Sequence, residues 1–219
     1  MRFNAPKPRT LMTREQLVAK LQRTPLPGYA AQKKMEHLER FRMLKNNPII
    51  PQDHKKAAVL VLLYPSKGDW NVVLIMRKRN EGVHSGQVAF VGGRAEPDDE
   101  NNTQTALRET EEEIGVSNSL IEVACALTQL YIPISNFMVF PFVGVLAQRP
   151  KFTLQKTEVE DVLEIPLAVF RNKANQKITN LDVGKGVLLE KVPYYDLNNN
   201  NILWGATAMM MAELVELLA

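Results

Sequence analysis

The sequence predicts an α/β (α+β) fold, and three stretches carry this prediction. Residues 57–64, AAVLVLLY, form a continuous apolar run that is typical of a strand buried on both faces, and residues 71–76 return as its hairpin partner. Residues 103–114 have helical periodicity and precede Gly115, at a position where helix C-termini favour glycine. A Met-rich segment that ends at Leu218 predicts an amphipathic C-terminal helix.

The N-terminal part predicts two further helices. Thr13 and Gln16 have the form of a capping box, so a short helix is expected to begin there and to stop at the prolines of residues 25–28. A second amphipathic helix is expected over residues 29–44.

The segments after residue 115 predict mostly strands. Residues 120–131 and 137–147 are expected to form two long strands joined by a turn, and a hairpin with a Gly-rich turn follows near residues 182–186. Phe137, Phe140 and Phe142 lie in the second strand. Such side chains are usually core, and the alternative is that one of them stacks on an adenine ring.

Composition limits the classes of function. The 219 residues are 45% hydrophobic and 23% charged, which is typical of a globular protein, and the net charge of +3 is scattered. The sequence has no dense Lys/Arg block, so a nucleic-acid partner is not expected. Cys125 lies in an apolar run and is expected to be a core thiol, which fits a reducing compartment. No secretory h-region and no membrane-span run are found, so a cytoplasmic protein without membrane contact is expected.

The helix over residues 103–114 concentrates acidic side chains. Thr103 is the expected N-cap. A helical wheel places Leu107, Thr110 and Ile114 on one face and Glu109, Glu112 and Glu113 on the opposite face. Like charges on neighbouring turns repel, so this cluster indicates a hard divalent cation, and Mg²⁺ uses one or two carboxylates together with water and substrate phosphate. Arg108 precedes Glu112 by four residues and is expected to pair with it.

With Gly92 and Gly93 before it, this segment resembles the Nudix box, the Gly-x5-Glu-x7-Arg-Glu-aliphatic-x-Glu-Glu-x-Gly-aliphatic signature of Nudix hydrolases. The matching residues are Arg108, Glu109, Glu112, Glu113, Gly115 and Val116. Thr110 departs from the signature, and Gly93 lies one residue too far from Glu100. The resemblance implies a Nudix-type α/β/α sandwich with a mixed sheet between helices. It also implies a helical extension over residues 1–50 that packs on a Nudix domain over residues 51–219.

With one extra residue between Gly93 and Glu100, the box resembles that of the coenzyme A pyrophosphatase branch, which runs Gly-Gly-x-x-Asp-Pro-x-Asp. Residues 92–99 read GGRAEPDD. That branch has an upstream signature, Leu-Leu-Thr-x-Arg-Ser-x3-Arg-x3-Gly-x3-Phe-Pro-Gly-Gly. The chain keeps Leu74, Arg77, Gly86, Phe90, Gly92 and Gly93 and departs from it at Ile75, Lys78, Gly82 and Val91. A Trp-Gly-x-Thr-Ala segment at residues 204–208 is a further likeness to this branch.

The resemblance implies roles for individual residues. Mg²⁺ or Mn²⁺ would be held by Glu109, Glu112, Glu113 and the backbone carbonyl of Gly93. Arg108 would fix a glutamate rotamer, and the general base would be Glu112 or, from a downstream segment similar to one in many Nudix enzymes, Glu158, with Glu160 in reserve. Arg77 would bind phosphate. Arg79 and His84 are further substrate-binding candidates, and the alternative for all three is an ordinary surface residue.

The implied substrate is a small nucleotide. Coenzyme A or acyl-coenzyme A would give 3′,5′-ADP and (acyl-)4′-phosphopantetheine. Gly82, in place of the second signature arginine, leaves ADP-ribose, NADH and diadenosine polyphosphates open as substrates. A nucleotide-sensing protein without turnover is a third hypothesis, although such proteins usually lose box glutamates. The apolar surface of the terminal helices would serve either a homodimer or the covering of the sheet.

Overall fold

The computed structural model describes residues 12–46, 49–78, 86–184, 186–197 and 200–219. The helices in these ranges are α1 Arg14–Arg23, α2 Tyr29–Gln32, α3 Leu38–Asn46, α4 Asn102–Ile114, α5 Leu167–Arg171 and α6 Gly205–Leu217. The strands are β1 Lys55–Ser66, β2 Asp69–Arg77, β3 Val88–Ala89, β4 Val91–Arg94, β5 Glu122–Ala126, β6 Leu130–Ile132, β7 Phe137–Val145, β8 Val159–Pro166, β9 Gln176–Asp182, β10 Leu188–Asp196 and β11 Ile202–Trp204.

A mixed eight-stranded sheet forms the centre of the described chain. β1 runs parallel to β7 and antiparallel to β2. β3 pairs with β2, and β4 pairs with β1. Residues 88–94 therefore lie between β1 and β2 at the end of the hairpin farther from its turn, where these two strands no longer pair with each other. β8 covers the other edge of β2. This topology places Gly92 and Gly93 in the interior of the sheet, opposite Val59 and Ala58.

The two faces of the sheet carry separate cores. Side chains alternate along a strand, so Leu60 and Leu62 of β1 face one side while Val61 and Leu63 face the other. The first pair packs in a cluster with residues of α4, and the second pair packs in a cluster with residues of α6. Helices therefore cover both faces, and the expected α/β/α sandwich is confirmed. β9, β10 and β11 form a second, antiparallel sheet.

The first two helices, α1 and α2, pack on the α6 side. The capping box of α1 is confirmed, because Thr13 accepts the N–H of Gln16 and the Gln16 side chain accepts the N–H of Thr13. Leu17 and Met35 belong to the same buried cluster as α6. The division of the chain at residue 50 stays a prediction.

The single helix expected over residues 29–44 is wrong. α2 tightens into a 3-10 turn over Lys33–Met35, Glu36 turns extended, and α3 begins at Leu38. His37 stabilises the new start, since its Nδ1 accepts the backbone N–H of Glu39 at 3.3 Å.

The single strand expected over residues 120–131 is also wrong. A 3-10 turn over Asn118–Leu120 precedes β5, and residues 127–129 separate β5 from β6. The interruption has a physical cause, because the backbone N–H and the hydroxyl of Thr128 both donate to the carboxylate of Glu213. The backbone N–H of Thr128 is thereby bonded to a side chain of α6.

The C-terminal helix is not amphipathic as expected. α6 begins at Gly205, after the short strand β11, and residues 208–214 are all buried. α2, α5 and β10 all pack on α6, which explains why no polar face is needed. No helix in the described ranges is long and apolar enough to cross a membrane.

The aromatic and thiol side chains noted in the sequence are half-buried and pack against the two core clusters. Phe140 and Phe142 pack against the α4 cluster, and Phe137 packs on the other face against the α6 cluster. These contacts favour the core interpretation over stacking on a base. Cys125 also packs against the α6 cluster, and burial raises the pKa of its thiol to about 11.

Candidate active site

The floor of the site is the glycine pair of β4. A Cβ atom on Gly93 would lie 2.5 Å from the carboxylate carbon and both oxygens of Glu109. Gly92 has a φ of +140°, and a Cβ there would lie 2.3 Å from the carbonyl oxygen of Ala58. Both positions therefore require glycine, and the absence of side chains lets a carboxylate of α4 lie directly against the sheet.

α4 carries the acidic side chains across this floor. Asn101 is the N-cap and its side chain accepts the N–H of Gln104 at 3.0 Å, so the expected cap at Thr103 is wrong. Asn101 is extended and reaches the N–H three residues on, whereas Thr103 already lies inside the first turn. The expected end at Gly115 is confirmed by its left-handed backbone, with φ of 70°.

The three glutamates of α4 do not share one environment. Glu113 is 2% exposed and lies among buried residues of the sheet-facing side, together with Thr110 and Ile114. The side chain of Glu109 is 14% exposed, and that of Glu112 is 54% exposed. The expectation that all three lie opposite Thr110 is thus wrong for Glu113. Thr110 and Glu113 are only about 60° apart on a helical wheel.

Burial governs the charge state of the inner pair. Glu113 accepts the N–H of Gly92 at 2.8 Å. Burial raises the pKa of the Glu113 carboxyl to about 7, Glu109 and Glu158 push this pKa in the same direction, and the Gly92 N–H and Arg77 oppose the shift. The pKa of Glu109 is also raised, mainly by burial, and Arg108 opposes that shift. Both carboxylates therefore lack sufficient compensating positive charge.

Arg108 connects the outer part of the site. Its guanidinium contacts Glu112 at 3.0 Å and Glu109 at 3.1 Å, so the expected pairing with Glu112 is confirmed. It also donates to the carbonyl of Arg94 at 3.2 Å. Two parallel bonds of 3.0 and 3.1 Å join it to Asp99. Arg108 thereby fixes the relative positions of two box glutamates and the end of β4.

Asp99 has a role in the site that was not expected from the sequence, although residues 92–99 were matched to the branch box. Its carboxylate is 5% exposed and also accepts the hydroxyl of Thr105 at 2.8 Å and the N–H of Glu96 at 2.9 Å. Bonding to Arg108 holds its pKa well below the ordinary range. A signal was available: Asp99 follows Gly93 by the five intervening residues that the box specifies, with Asp in place of Glu. Glu100, considered instead, is exposed.

Two residues from other elements approach the inner pair. Arg77 ends β2, is half-buried, and lowers the pKa of Glu113. Glu158 lies exposed in the turn before β8, and its charge raises the pKa of both Glu109 and Glu113. Glu160 follows the buried Val159 on β8 and therefore points to the other face of that strand.

Arg79 and His84, the other two predicted substrate-binding residues, lie outside the described residues.

The donor set fits a hard divalent cation. Within the described ranges, no three Asp, Glu, His or Cys side chains are gathered as a ready-made ligand group. Mg²⁺ does not require one, because it is commonly bound by one or two carboxylates with water and substrate phosphate completing the shell. Glu109 and Glu113 supply two carboxylates beside Gly93, and their raised pKa values show that a nearby positive charge would stabilise both anions.

Comparisons with known proteins agree with this arrangement. Residues 54–181 match the model of the NUDIX domain. The chain is 36% identical over 161 residues to "Nudix hydrolase 22, chloroplastic" of Arabidopsis thaliana, covering 72% of this chain and 53% of that protein. It is 30% identical over 189 residues to "Uncharacterized Nudix hydrolase NudL" of Yersinia pestis, covering 83% of this chain and 92% of that protein.

A solved structure shows the same fold. The MutT/nudix family protein from Enterococcus faecalis superposes with a TM-score of 0.51 at 16% identity, over 87% of this chain and 73% of that one. The chain spans about half the length of the Arabidopsis relative. The domain match covers more than half of the 219 residues, and the chain therefore belongs to the Nudix hydrolase family.

Proposed function

We propose that this chain hydrolyses the pyrophosphate bond of coenzyme A or acyl-coenzyme A with Mg²⁺ or Mn²⁺ as cofactor. The products are 3′,5′-ADP and (acyl-)4′-phosphopantetheine. The observation that carries the proposal is a pair of carboxylates with raised pKa values, the buried Glu113 and the half-buried Glu109, which lie against Gly92 and Gly93. Such a pair suits a bound cation and, through it, a polyphosphate substrate.

Glu109, Glu112, Glu113 and the carbonyl of Gly93 form the proposed ligand set. When bound, the cation neutralises the pyrophosphate and lowers the pKa of a nearby water. Arg108 holds Glu109 and Glu112 in place through direct contacts with both carboxylates. Asp99 in turn fixes Arg108, so the outer carboxylates are positioned before substrate arrives.

Proton transfer requires a carboxylate near the attacking water. Glu112 is the preferred base because it lies at the exposed rim of the helix, where water has access. Glu158 is the second candidate, since its charge reaches Glu109 and Glu113. In either case the water gives its proton to the carboxylate, a new P–O bond forms, and the bridging P–O bond breaks to release one phosphate ester.

Basic residues at the end of β2 would orient the substrate. Arg77 lies close enough to Glu113 to lower its pKa and would bind a phosphate oxygen beside the cation. Arg79 and His84 follow it in the chain and complete the proposed substrate-binding set. Lys78 and Gly82, where the coenzyme A signature has Ser and Arg, favour a second candidate in which the substrate is ADP-ribose, NADH or a diadenosine polyphosphate.

The third candidate, a nucleotide-sensing protein without turnover, has less support, because the box glutamates Glu109, Glu112 and Glu113 are all present. Three further proposals come from the sequence: a cytoplasmic location, no nucleic-acid or membrane partner, and a homodimer. The Arabidopsis relative is named as chloroplastic.

The decisive experiment for substrate choice is a panel assay. Purified protein is incubated with Mg²⁺ or Mn²⁺ and coenzyme A, acyl-coenzyme A, ADP-ribose, NADH or a diadenosine polyphosphate, and products are identified by mass. Preferential release of 3′,5′-ADP is expected. Preferential release of AMP from ADP-ribose or NADH would keep the hydrolysis and overturn the coenzyme A assignment, and no turnover of any compound would overturn hydrolysis itself.

A further inference from the structure

The turn that carries Glu158 is tied to the catalytic helix at one end. The backbone N–H groups of Thr153 and Gln155 donate to the carbonyls of Ile114 and Glu113 at 2.8 and 2.9 Å. These carbonyls belong to the last turn of α4, where a helix has no internal donors left to offer. The chain leading to Glu158 therefore starts from the same helical turn that carries Glu113.

The turn itself is compact and exposed. The N–H groups of Glu158 and Val159 both donate to the carbonyl of Gln155 at 2.9 Å. Lys156 and Glu158 are exposed, and burial resumes at Val159. An exposed turn of this kind gains little from packing, so its position depends on the bonds that reach it from neighbouring elements.

Lys78 provides two such bonds from the end of β2. Its backbone N–H donates to the carbonyl of Glu158 at 2.8 Å. Its ammonium donates to the carbonyl of Lys156 at 2.8 Å. Both bonds sit next to a register shift between β2 and β8, at Met76 and Arg77, where regular strand pairing is interrupted. The lysine side chain thus adds a bond to the turn where the regular β2–β8 hydrogen-bond pattern is interrupted.

We propose that Lys78 is a positioning residue, whose ammonium holds the turn over residues 155–158 so that Glu158 faces Glu109 and Glu113. This inference rests on the proposed hydrolysis, with Glu158, the second candidate base, taking part in the chemical step, and it adds a residue that does not touch the reacting atoms. A charge-assisted bond to a carbonyl is stronger than a neutral one, which suits it to restraining an exposed turn.

Kinetics of Lys78→Met test the proposal, because methionine keeps most of the side-chain volume and removes the donors. We expect kcat to fall about tenfold with KM within about twofold, since a misplaced Glu158 affects the chemical step more than substrate binding. Lys78→Arg is expected to recover most of the loss. The matched control is Lys156→Met, which removes an equal charge from the same turn and keeps the bonded carbonyl; its kcat is expected to stay at the wild-type value.

A double-mutant cycle shows whether Lys78 acts through Glu158. In a Glu158→Gln background, Lys78→Met is expected to change kcat by less than about twofold, because the two changes remove one effect. Equal losses in both backgrounds would overturn the proposal. So would a rise in KM shared by Lys78→Met and Lys156→Met, which would indicate that the lysines bind substrate phosphate directly.

Amide hydrogen exchange separates this proposal from the proposed function. Lys78→Met is expected to speed exchange at the amides of Glu158 and Val159 by about fivefold or more, whatever the substrate. Faster exchange in a protein without turnover would support the positioning role of Lys78 and overturn the proposed hydrolysis. Unchanged exchange and unchanged kcat in an active protein would overturn the positioning role of Lys78 and leave the proposed hydrolysis standing.

Discussion

Two buried glutamates, Glu113 and Glu213, lie on helices that cover opposite faces of the sheet. Both are almost completely buried, at 2% and 0% exposure. Glu213 accepts bonds from the Gly28 N–H, the Gln32 amide, the Thr128 N–H and the Thr128 hydroxyl, at 2.6 to 3.2 Å. Glu113 accepts the Gly92 N–H and lies near the negative charges of Glu109 and Glu158.

The difference teaches how to distinguish a structural carboxylate from a functional one. Hydrogen-bond donors around a buried anion replace the water it has lost, so Glu213 serves as a joint between the N-terminal helices, the β5–β6 connection and α6. Like charges around a buried anion raise its free energy, and the protein gains nothing from this unless a cation binds. Burial alone does not separate the two cases, but the surrounding donors and charges do.

The largest expected effect is on turnover. Glu113→Gln removes a proposed ligand and keeps an acceptor for the Gly92 N–H, so hydrolysis is expected to fall about 1000-fold or more. Glu213→Gln, assayed well below its melting temperature, is expected to stay within about threefold of wild type. Comparable losses in both variants, with folding confirmed by circular dichroism, would erase the distinction between the two sites.

The next largest effect is on stability, where Glu213 is expected to matter more than Glu113. Glu213→Ala leaves the buried donors on Gln32 and Thr128 without an acceptor and is expected to lower the free energy of unfolding by about 3–4 kcal/mol in urea titrations. Glu216→Ala is the matched control on the same helix, where an exposed pair with Lys34 is lost, and we expect a change below about 1 kcal/mol. A small effect of Glu213→Ala would show that α6 does not depend on this carboxylate.

The charge on Glu113 makes a prediction about pH in metal-free protein. Its native pKa of about 7 lies above the ordinary value of 4.5, so ionisation costs stability as pH rises from about 4.5 through 7. Glu113→Gln is therefore expected to stabilise the protein by about 2–3 kcal/mol at pH 8, and this gain is expected to vanish near pH 4.5. A variant that is less stable than wild type at pH 8 would contradict the raised pKa.

The smallest expected effect concerns the outer carboxylates. Asp99→Asn weakens the two-bond contact with Arg108 and is expected to cost about 1 kcal/mol of stability and about fivefold in kcat. Because the pKa of Asp99 is lowered in the fold, its contribution is present above the ordinary pKa of 3.8 and is lost as pH falls below it. The control is Asp98→Asn, an exposed change in the same loop. Equal effects of the two substitutions on stability and kcat would contradict a role for Asp99 in positioning Arg108.

Much of the fold could be predicted from hydrophobic periodicity. The β1 and β2 hairpin, α1 with its capping box and α4 with its terminal glycine follow from local patterns, and the structure contains all of them. Periodicity failed where distant residues decide local structure. Thr128 donates to Glu213, 85 residues away, and thereby interrupts the expected strand, and α6 is buried by α2, which lies far earlier in the chain.

The candidate site could be predicted in its residues but not in its environments. The spacing of Glu109, Glu112 and Glu113 identified them as candidates. A helical wheel gives only the direction of each side chain from its own helix, so it contains no information about the space that Gly93 leaves for the carboxylate of Glu109. No role was expected for Asp99 because Glu100 fits the signature in residue type and in its spacing to Arg108, whereas the spacing from Gly93 and the contacts with Arg108 select Asp99. Glu213 carries no motif at all, and only the folded chain shows its burial.

Cation binding tests the comparison most directly. Free Mn²⁺ is measured by electron paramagnetic resonance during titration of metal-free wild type, Glu113→Gln and Glu213→Gln at pH 8. We predict that wild type and Glu213→Gln bind Mn²⁺ with similar affinity and that Glu113→Gln binds at least about tenfold more weakly. Equal binding by Glu113→Gln and wild type would contradict the assignment of the α4 carboxylates as a cation site.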